Sequence, residues 1–242
     1  MGWNDLGLLY VVAAVLCMVG FYKYVYFLSI GYGFAVAGIG VALLVMFPAA
    51  AGPLHLVQCL LFVVYGARLS GFLLVREIKN AAYRKTLSSV TKDEKTMPVF
   101  VKAAIWICVS ALYVAQTSPV FYRLYNQAAD SALPWIGCLI SAFGILLEAL
   151  ADRQKSAQKA KNPGMVATQG LYRTVRCPNY LGEILFWTGV IIGGLDALKG
   201  AGQWLMAVIA YICIVAIMFN GAKRLEKRQE ARYGSTPEYR AY

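Results

Sequence analysis

Charged residues and histidine are both scarce in this chain of 242 residues. Only 14% of the residues are charged, whereas a soluble domain has about 25%. The apolar share is 60% and the mean hydropathy is +0.58. This composition argues against a soluble globular domain. The single histidine, His55, argues against a histidine-based metal centre.

Paired cysteines and an early positive charge are also absent. The six cysteines lack C-x-x-C spacing, and five of them lie inside apolar runs. We therefore expect small buried hydrophobic residues rather than disulfides or metal ligands. No Lys or Arg precedes the first apolar run, so we interpret that run as a retained span and not as a cleaved signal peptide.

Long continuous apolar runs dominate the rest of the chain. Each is close to the ~20 residues that a helix needs to cross a bilayer, and continuity does not suit the alternating pattern of a β-barrel. We predict an all-α, polytopic membrane protein with about seven transmembrane helices and a single integral membrane domain over residues 1–242. The predicted spans are Leu6–Tyr22, Tyr26–Phe47, Pro53–Val75, Val99–Gln116, Pro134–Ala151, Tyr180–Leu198 and Gln203–Asn220.

The net charge of +11 is concentrated between the spans, which indicates topology rather than nucleic-acid binding. Six Lys or Arg lie in each of the segments 76–95, 153–176 and 223–240, whereas the opposite side has only Arg123 and Lys199. We predict cytoplasmic basic segments and an outside N-terminus, in a bacterial inner membrane. Topology alone explains this pattern, and so does a basic cavity mouth for a phosphorylated cofactor.

Ionisable residues cluster at the end of the fifth span. Glu148, Asp152, Lys155 and Lys159 are spaced by four, three and four residues, so they share one helix face. Glu148 lies about one turn inside the membrane, where a carboxylate needs a polar partner or a cavity. A ligand site and a ladder of ion pairs along the helix surface both fit this spacing.

A second polar string, GLYRTVRCPNYLGEILFW, leads into the sixth span. Arg173 and Arg176 precede Pro178, and proline is typical of a first helical turn. Asn179 and Glu183 are four residues apart and share a face. The helix dipole stabilises a carboxylate near a helix N-terminus, but capping does not account for the complete string.

This string resembles the G-L-[WYF]-x-x-x-R-H-P-N-Y-x-G-E signature of the steroid 5-alpha-reductase-like membrane family. A related signature occurs in isoprenylcysteine carboxyl methyltransferases. The upstream ADRQK and the tail RLEKRQEARYGSTPEYRAY are also similar to the reductase pattern. The resemblance covers residues 145–242, weakens back to the third span and is not detected over 1–50. It implies a seven-span helical fold that binds NADPH from the cytoplasmic side.

The resemblance also implies a cofactor site, residue by residue. Asp152 and Lys159 match residues near the adenine-ribose and phosphate end, and Asn179 matches an asparagine at the nicotinamide end. Glu183 matches the glutamate that closes the signature. Further candidates beside these are Lys155, Arg173 and Arg176, with Glu148, Arg68, Lys227, Arg228 and Tyr239 in supporting positions.

The third span, LLFVVYGARLSGFLLVRE, is similar to a reductase stretch in which a tyrosine precedes an arginine by three. Tyr65 then matches the tyrosine that polarises the substrate carbonyl, with Arg68 on the same helix face. A phenol, whose pKa is ~10, can donate a hydrogen bond to a developing enolate and later the proton. Packing within the bundle explains a tyrosine here equally well.

Two features depart from the family. Cys177 replaces the histidine of the signature, and the first two spans lack the glutamate that pairs with the tyrosine in the steroid enzymes. The second departure argues against a steroid substrate in particular.

We therefore predict a membrane-embedded oxidoreductase that uses NADPH to reduce a carbon–carbon double bond conjugated to a carbonyl, in a steroid-like or other lipid substrate. One alternative is an S-adenosylmethionine-dependent methyltransferase of the isoprenylcysteine type. Another is a transporter or scaffold in which Glu148, Glu183 and Arg68 form an ion path. The expected partners are the bilayer and a lipophilic small molecule, without nucleic acid, metal or an obligate protein partner.

Overall fold

The computed structural model describes residues 2–48, 52–90 and 97–242. It is 84% helical, and the described residues form no strand. The structure confirms an all-α polytopic membrane protein. Its helices are α1 (Gly2–Cys17), two 3-10 helices (Met18–Phe21 and Tyr24–Leu28), α2 (Ile30–Met46), α3 (Pro53–Lys79), α4 (Ala81–Val90), α5 (Val99–Tyr125), α6 (Ala132–Lys161), α7 (Leu171–Thr174), α8 (Pro178–Ile192), α9 (Gly200–Tyr233) and α10 (Pro237–Ala241).

Each predicted span overlaps an apolar helix, and in chain order these helices are α1, α2, α3, α5, α6, α8 and α9. Two helices end earlier than predicted, α1 at Cys17 rather than Tyr22 and α8 at Ile192 rather than Leu198. Within the described residues, five segments are long and apolar enough to cross a membrane: Asn4–Phe21 and helices α3, α5, α6 and α9. Helix α2 has 17 residues and α8 has 15, which correspond to about 26 and 22 Å at 1.5 Å per residue. Both are shorter than the ~30 Å hydrocarbon core, so the count of seven spans stays a prediction.

Four helices extend beyond their predicted ends, and one of them is α3, which continues from the predicted Val75 to Lys79. Helix α6 continues to Lys161, α9 to Tyr233, and α5 to Tyr125 through Pro119. The predicted boundaries of α6 and α9 follow the loss of apolar residues. The helices continue because Lys, Arg, Glu, Gln and Ala are good helix formers in water as well.

The basic segments come together at one end of the bundle. Asn80 at the end of α3, Lys159 near the end of α6 and Arg232 near the end of α9 line one cavity. Lys92 and Lys95, two cations of the first basic segment, lie outside the described residues. The structure thus groups the segments that were predicted to share one side of the membrane.

Glycine contacts join the helices in two pairs. A Cβ atom at Gly144 of α6 would lie 2.6 Å from the carbonyl oxygen of Gly182 on α8, and one at Gly33 of α2 would lie 2.7 Å from the carbonyl oxygen of Gly66 on α3. Small residues let helix backbones approach closely in lipid, where packing drives association. These two pairs, α2–α3 and α6–α8, carry the polar residues of the site described below.

All six cysteines are free thiols. Cys17, Cys59 and Cys138 are buried as predicted, but Cys108 is exposed on α5. The prediction of general burial is wrong for Cys108 because an apolar run does not reveal which helix face points away from the bundle.

Candidate functional site

Tyr65 lies on α3 in the middle of the bundle and is fully buried. Its hydroxyl donates a hydrogen bond to Oε1 of Glu183 on α8, at 2.5 Å. Tyr32 of α2 donates to the same oxygen at 2.6 Å, and the indole nitrogen of Trp187 donates to it at 3.1 Å. Because a carboxylate in a membrane interior needs polar partners, these three donors explain how Glu183 is held with 6% exposure.

Tyr32 is a residue of this cluster that the sequence did not single out. Its hydroxyl also accepts hydrogen bonds from Trp187 at 2.6 Å and from Tyr65 at 3.0 Å. A phenol has a single proton to donate, so Tyr65 donates either to Glu183 or to Tyr32 at any moment. The chain has 16 tyrosines, and no local pattern distinguishes Tyr32 from the others.

Glu183 is an acidic hydrogen-bond partner of Tyr65 that the family resemblance did not predict. The first two spans lack a glutamate for Tyr65, but α8 supplies one from a position 118 residues away in the chain. Glu183 was predicted to bind the cofactor with Asn179. The structure places its carboxylate against Tyr65, because α8 packs across α6 and presents this side chain to the α2–α3 pair.

Arg68 lies one turn beyond Tyr65 and joins α3 to α6. Its guanidinium forms salt bridges with Glu148 and with Asp152, the second at 3.0 Å. The Glu148 and Asp152 side chains are 4% and 14% exposed. The spacing of the ionisable residues on α6 fitted either a ligand site or a ladder of ion pairs along the helix surface. The surface ladder is wrong, because Glu148 and Asp152 both bind Arg68 of α3.

A basic cavity of about 420 Å³ opens beside this cluster. Its wall includes three predicted cofactor residues, Asp152, Lys155 and Lys159, and two cations that were not singled out, Arg76 and Arg232. The predicted acidic and basic residues of α6 are therefore brought together, and α3 and α9 add further positive charge. Such a wall suits a polyanion.

Aromatic rings hold two of these cations in place. The Arg76 guanidinium lies 4.1 Å from the centre of the Tyr83 ring, and the Lys159 ammonium lies 3.1 Å from the Tyr233 hydroxyl. Lys159 also donates to the carbonyl of Met165. Burial raises the pKa of Tyr83 above its ordinary value, so at neutral pH this ring is an uncharged platform for Arg76.

Four buried polar atoms near this region have no hydrogen-bond partner among the described residues. They are Oδ1 of Asn179, Oε1 of Glu148, Nε of Arg68 and the hydroxyl of Tyr172. An unsatisfied buried polar group costs about 1–3 kcal/mol, and native structures contain few of them. These atoms lie on α3, α6, α7 and α8, and each is able to form a hydrogen bond with water or with a polar ligand.

Several predicted residues do not line the basic cavity, and Asn179 is one of them. Arg173 is exposed on α7, and Arg176 instead forms a salt bridge with Glu226 at 2.5 Å. Lys227 and Arg228 are exposed on α9, and Tyr239 is buried 6.3 Å from the ring of Tyr233. Helix α9 continues without a break to Tyr233, so its later residue Arg232, rather than Lys227 or Arg228, reaches the cavity.

Cys177 takes the place of the signature histidine at the start of α8. It is partly buried, and burial raises the pKa of its thiol. The thiol is therefore protonated at neutral pH and lacks the charge that a histidine can acquire.

Comparisons with known proteins extend the likeness beyond the motifs. The family described as "Protein of unknown function (DUF1295)" matches residues 9–242, whereas the motif resemblance fades before the third span. "Uncharacterized protein C594.04c" of Schizosaccharomyces pombe is 28% identical over 166 residues, and the match covers 60% of this chain and 44% of that protein. The chain thus spans less than half the length of this curated relative, and no solved structure matches. Because the family match covers nearly the entire sequence, the chain belongs to the DUF1295 family.

Proposed function

We propose that this protein is a membrane-embedded reductase that transfers hydride from NADPH to a carbon–carbon double bond conjugated to a carbonyl in a lipophilic substrate. The observation that carries the proposal is the convergence of Tyr65, Tyr32 and Trp187 on one oxygen of Glu183. The family signature around Asn179 and Glu183 supports the same chemistry.

The three donors on Glu183 allow Tyr65 to serve a substrate. Reduction of an enone develops negative charge on the carbonyl oxygen, which a positioned hydrogen-bond donor stabilises. If Tyr65 turns its hydroxyl to that oxygen, Tyr32 still donates to Glu183, and Trp187 shares its single N–H between Tyr32 and Glu183. Tyr65 can then stabilise the enolate and later give up its proton, while the buried carboxylate keeps its hydrogen bond from Tyr32.

The residues of the basic cavity fit a phosphorylated dinucleotide. None of the described residues forms a salt bridge with Arg76, Lys155 or Arg232, so their charges are available for phosphate groups. Asn179, which is not part of the cavity wall, has a buried amide oxygen without a partner among the described residues, and such an oxygen suits the carboxamide of a nicotinamide ring. When bound, NADPH supplies the hydride.

The surroundings of Tyr65 suit an apolar substrate. Its ring stacks on Phe186 with the centroids 4.0 Å apart and the planes 8° from parallel, and Trp187 packs edge-on at 5.9 Å. An aromatic wall excludes water, which strengthens a hydrogen bond to a developing charge. We therefore place a hydrophobic enone here rather than a sugar or an amino acid.

A binding experiment separates this proposal from its alternatives. The purified protein in lipid nanodiscs is incubated with tritiated NADPH or with tritiated S-adenosylmethionine, and the retained label is counted. We expect retention of NADPH alone. Retention of S-adenosylmethionine alone supports a methyltransferase, and retention of neither contradicts both enzymatic functions and favours a transporter or scaffold.

Asn179→Ala tests the cofactor site. We expect NADPH affinity to fall at least tenfold, about 1.4 kcal/mol, because the amide contact is lost. Asn4→Ala, at an exposed position at the start of α1, is the matched control. An unchanged NADPH affinity in a folded Asn179→Ala protein removes Asn179 from the site.

Tyr65→Phe tests the proton donor, measured on any enone lipid that the wild-type protein reduces. We expect turnover to fall by ~10²–10³, with little change in NADPH affinity. Tyr113→Phe is the control, because Tyr113 is buried in the same core but donates to the backbone carbonyl of Phe27. Near-normal turnover of Tyr65→Phe assigns this tyrosine to packing alone.

A further inference from the structure

A second cavity, of about 550 Å³, lies at the opposite end of the bundle from the basic cavity. It is bounded by the end of α2, the start of α3 and the end of α5. Its apolar wall includes Met46, Phe47, Leu54 and Leu124. A cavity of this size holds the headgroup and the first part of the tail of an amphiphile.

Three buried polar residues line this cavity. His55, Gln58 and Arg123 are each 4% exposed. Each has a buried polar atom without a partner among the described residues, namely Nε2 of His55, Oε1 of Gln58 and Nε of Arg123. At about 1–3 kcal/mol for each unsatisfied group, three of them in one wall indicate a molecule that completes their hydrogen bonds.

The charges of the wall select against an anion. Both oxygens of Asp196 accept hydrogen bonds from Arg123, at 2.8 and 3.4 Å, and the carbonyl of Ala129 accepts another at 2.8 Å. The guanidinium charge is therefore neutralised within the protein. Asp130, which is exposed, also lines the cavity and repels a second negative charge.

The unpartnered atoms are of mixed type. Nε of Arg123 is a donor, Oε1 of Gln58 is an acceptor, and Nε2 of His55 is either one, according to its tautomer. A hydroxyl group both donates and accepts, so it satisfies this mixture, whereas a carboxylate only accepts and a quaternary ammonium does neither. We propose that this cavity binds an uncharged amphiphile with a hydroxyl-bearing headgroup.

This site is separate from the Tyr65 cluster and does not rest on the proposed reductase function. Gln58 and Tyr65 are seven residues apart on α3, which is a rise of about 10 Å. Phe62 lies between them, with its ring 6.2 Å from the rings of both Phe186 and Trp187. These aromatic side chains divide the two polar regions of the bundle.

The single histidine of the chain makes a direct test possible. Protein labelled with [15N]histidine, purified through a tag without histidine and placed in lipid nanodiscs, gives one set of imidazole NMR signals, from His55. The probes are octyl glucoside, octanoate and octyltrimethylammonium, each below its micelle-forming concentration. They share a tail length and differ in the headgroup.

We expect octyl glucoside to shift the His55 signals saturably, and the two charged probes to leave them nearly unchanged. Similar shifts with all three probes mean nonspecific partitioning and overturn the proposal. A dominant effect of octanoate indicates an anion site, and no effect of any probe indicates a cavity that holds only water. Either result also overturns the proposal.

Variants at Gln58 provide the second arm of the test. Gln58→Leu removes the amide at similar volume and should weaken octyl glucoside binding at least tenfold, and Gln58→Met is used if Gln58→Leu does not fold. Leu60→Met is the control, because Leu60 is 43% exposed on the same helix and does not line the cavity. Equal octyl glucoside affinity in the Gln58 variant and the control excludes Gln58 from the site.

Discussion

Replacing Arg68 by methionine tests whether the cluster of Arg68, Glu148 and Asp152 is a buried network. The substitution keeps the length of an apolar stem and removes the positive charge. It removes the cation that Glu148 and Asp152 both bind, and these side chains are only 4% and 14% exposed. Removing one partner of a buried ion pair typically destabilises a protein by about 3–5 kcal/mol.

We expect a loss at the lower end of that range, about 3 kcal/mol, because Asp152 also lines the basic cavity and water there screens its charge. This corresponds to a change of roughly 10²-fold in the unfolding equilibrium. The free energy of unfolding is measured by SDS titration of the purified protein in mixed micelles, for the wild type and the variant under identical lipid conditions.

Arg176→Met is the matched control, since Arg176 forms a salt bridge with Glu226 in which the two side chains are 46% and 56% exposed. A pair of that kind contributes at most about 1 kcal/mol. The triple variant Arg68→Met, Glu148→Gln, Asp152→Asn should regain much of the lost stability, because no carboxylate is left unpaired. If Arg68→Met costs no more than Arg176→Met, the argument that this cluster is a desolvated network is refuted.

Three further predictions concern packing, thiol chemistry and topology. Gly182→Ala should lower the free energy of unfolding by about 1–3 kcal/mol, because the new Cβ would lie 2.6 Å from the Glu148 side chain of α6. Gly71→Ala is the control and should be neutral or stabilising, because a Cβ there would have no atom within 4 Å. Burial raises the pKa of the Cys177 thiol. In a variant that keeps Cys177 as its only cysteine, maleimide labelling should therefore be slow at pH 7 and should still accelerate above pH 9. A labelling rate that reaches a plateau below pH 8.5 contradicts this prediction. Single cysteines at Asn162 and Asp130, beyond the two ends of α6, should label from opposite sides of the membrane, with Asn162 on the cytoplasmic side, and labelling from one side contradicts α6 as a span.

The positions of the helices could be predicted because apolar runs in a membrane protein mark helices directly. The predicted ends were less accurate for α6 and α9, since hydropathy marks where the lipid ends and helix propensity continues into water. Two of the predicted spans, α2 and α8, are apolar helices that are shorter than the hydrocarbon core of a bilayer. The sequence alone therefore supports a multi-pass protein more firmly than a particular number of spans.

Residues on one helix face could be grouped from spacing, and Glu148 with Asp152 is an example. Contacts between helices could not, because spacing along one helix gives no information about its neighbours. The bond from Tyr65 to Glu183 joins positions 118 residues apart. Tyr32 lies inside the predicted second span, where hydropathy does not distinguish it from its apolar neighbours.

The salt bridge between Arg68 and Glu148 also has a consequence for synthesis of the chain. The two residues are separated by 80 positions, so at about 5–20 residues per second the arginine is made roughly 4–16 s before its partner. During that interval α3 carries an uncompensated cation at a depth where the finished protein has a carboxylate. An arginine at a helix centre costs about 2.5–3.5 kcal/mol on insertion scales. We therefore expect α3 to stay beside the insertion machinery, or at the lipid headgroups, until α6 is made and Glu148 can pair with Arg68.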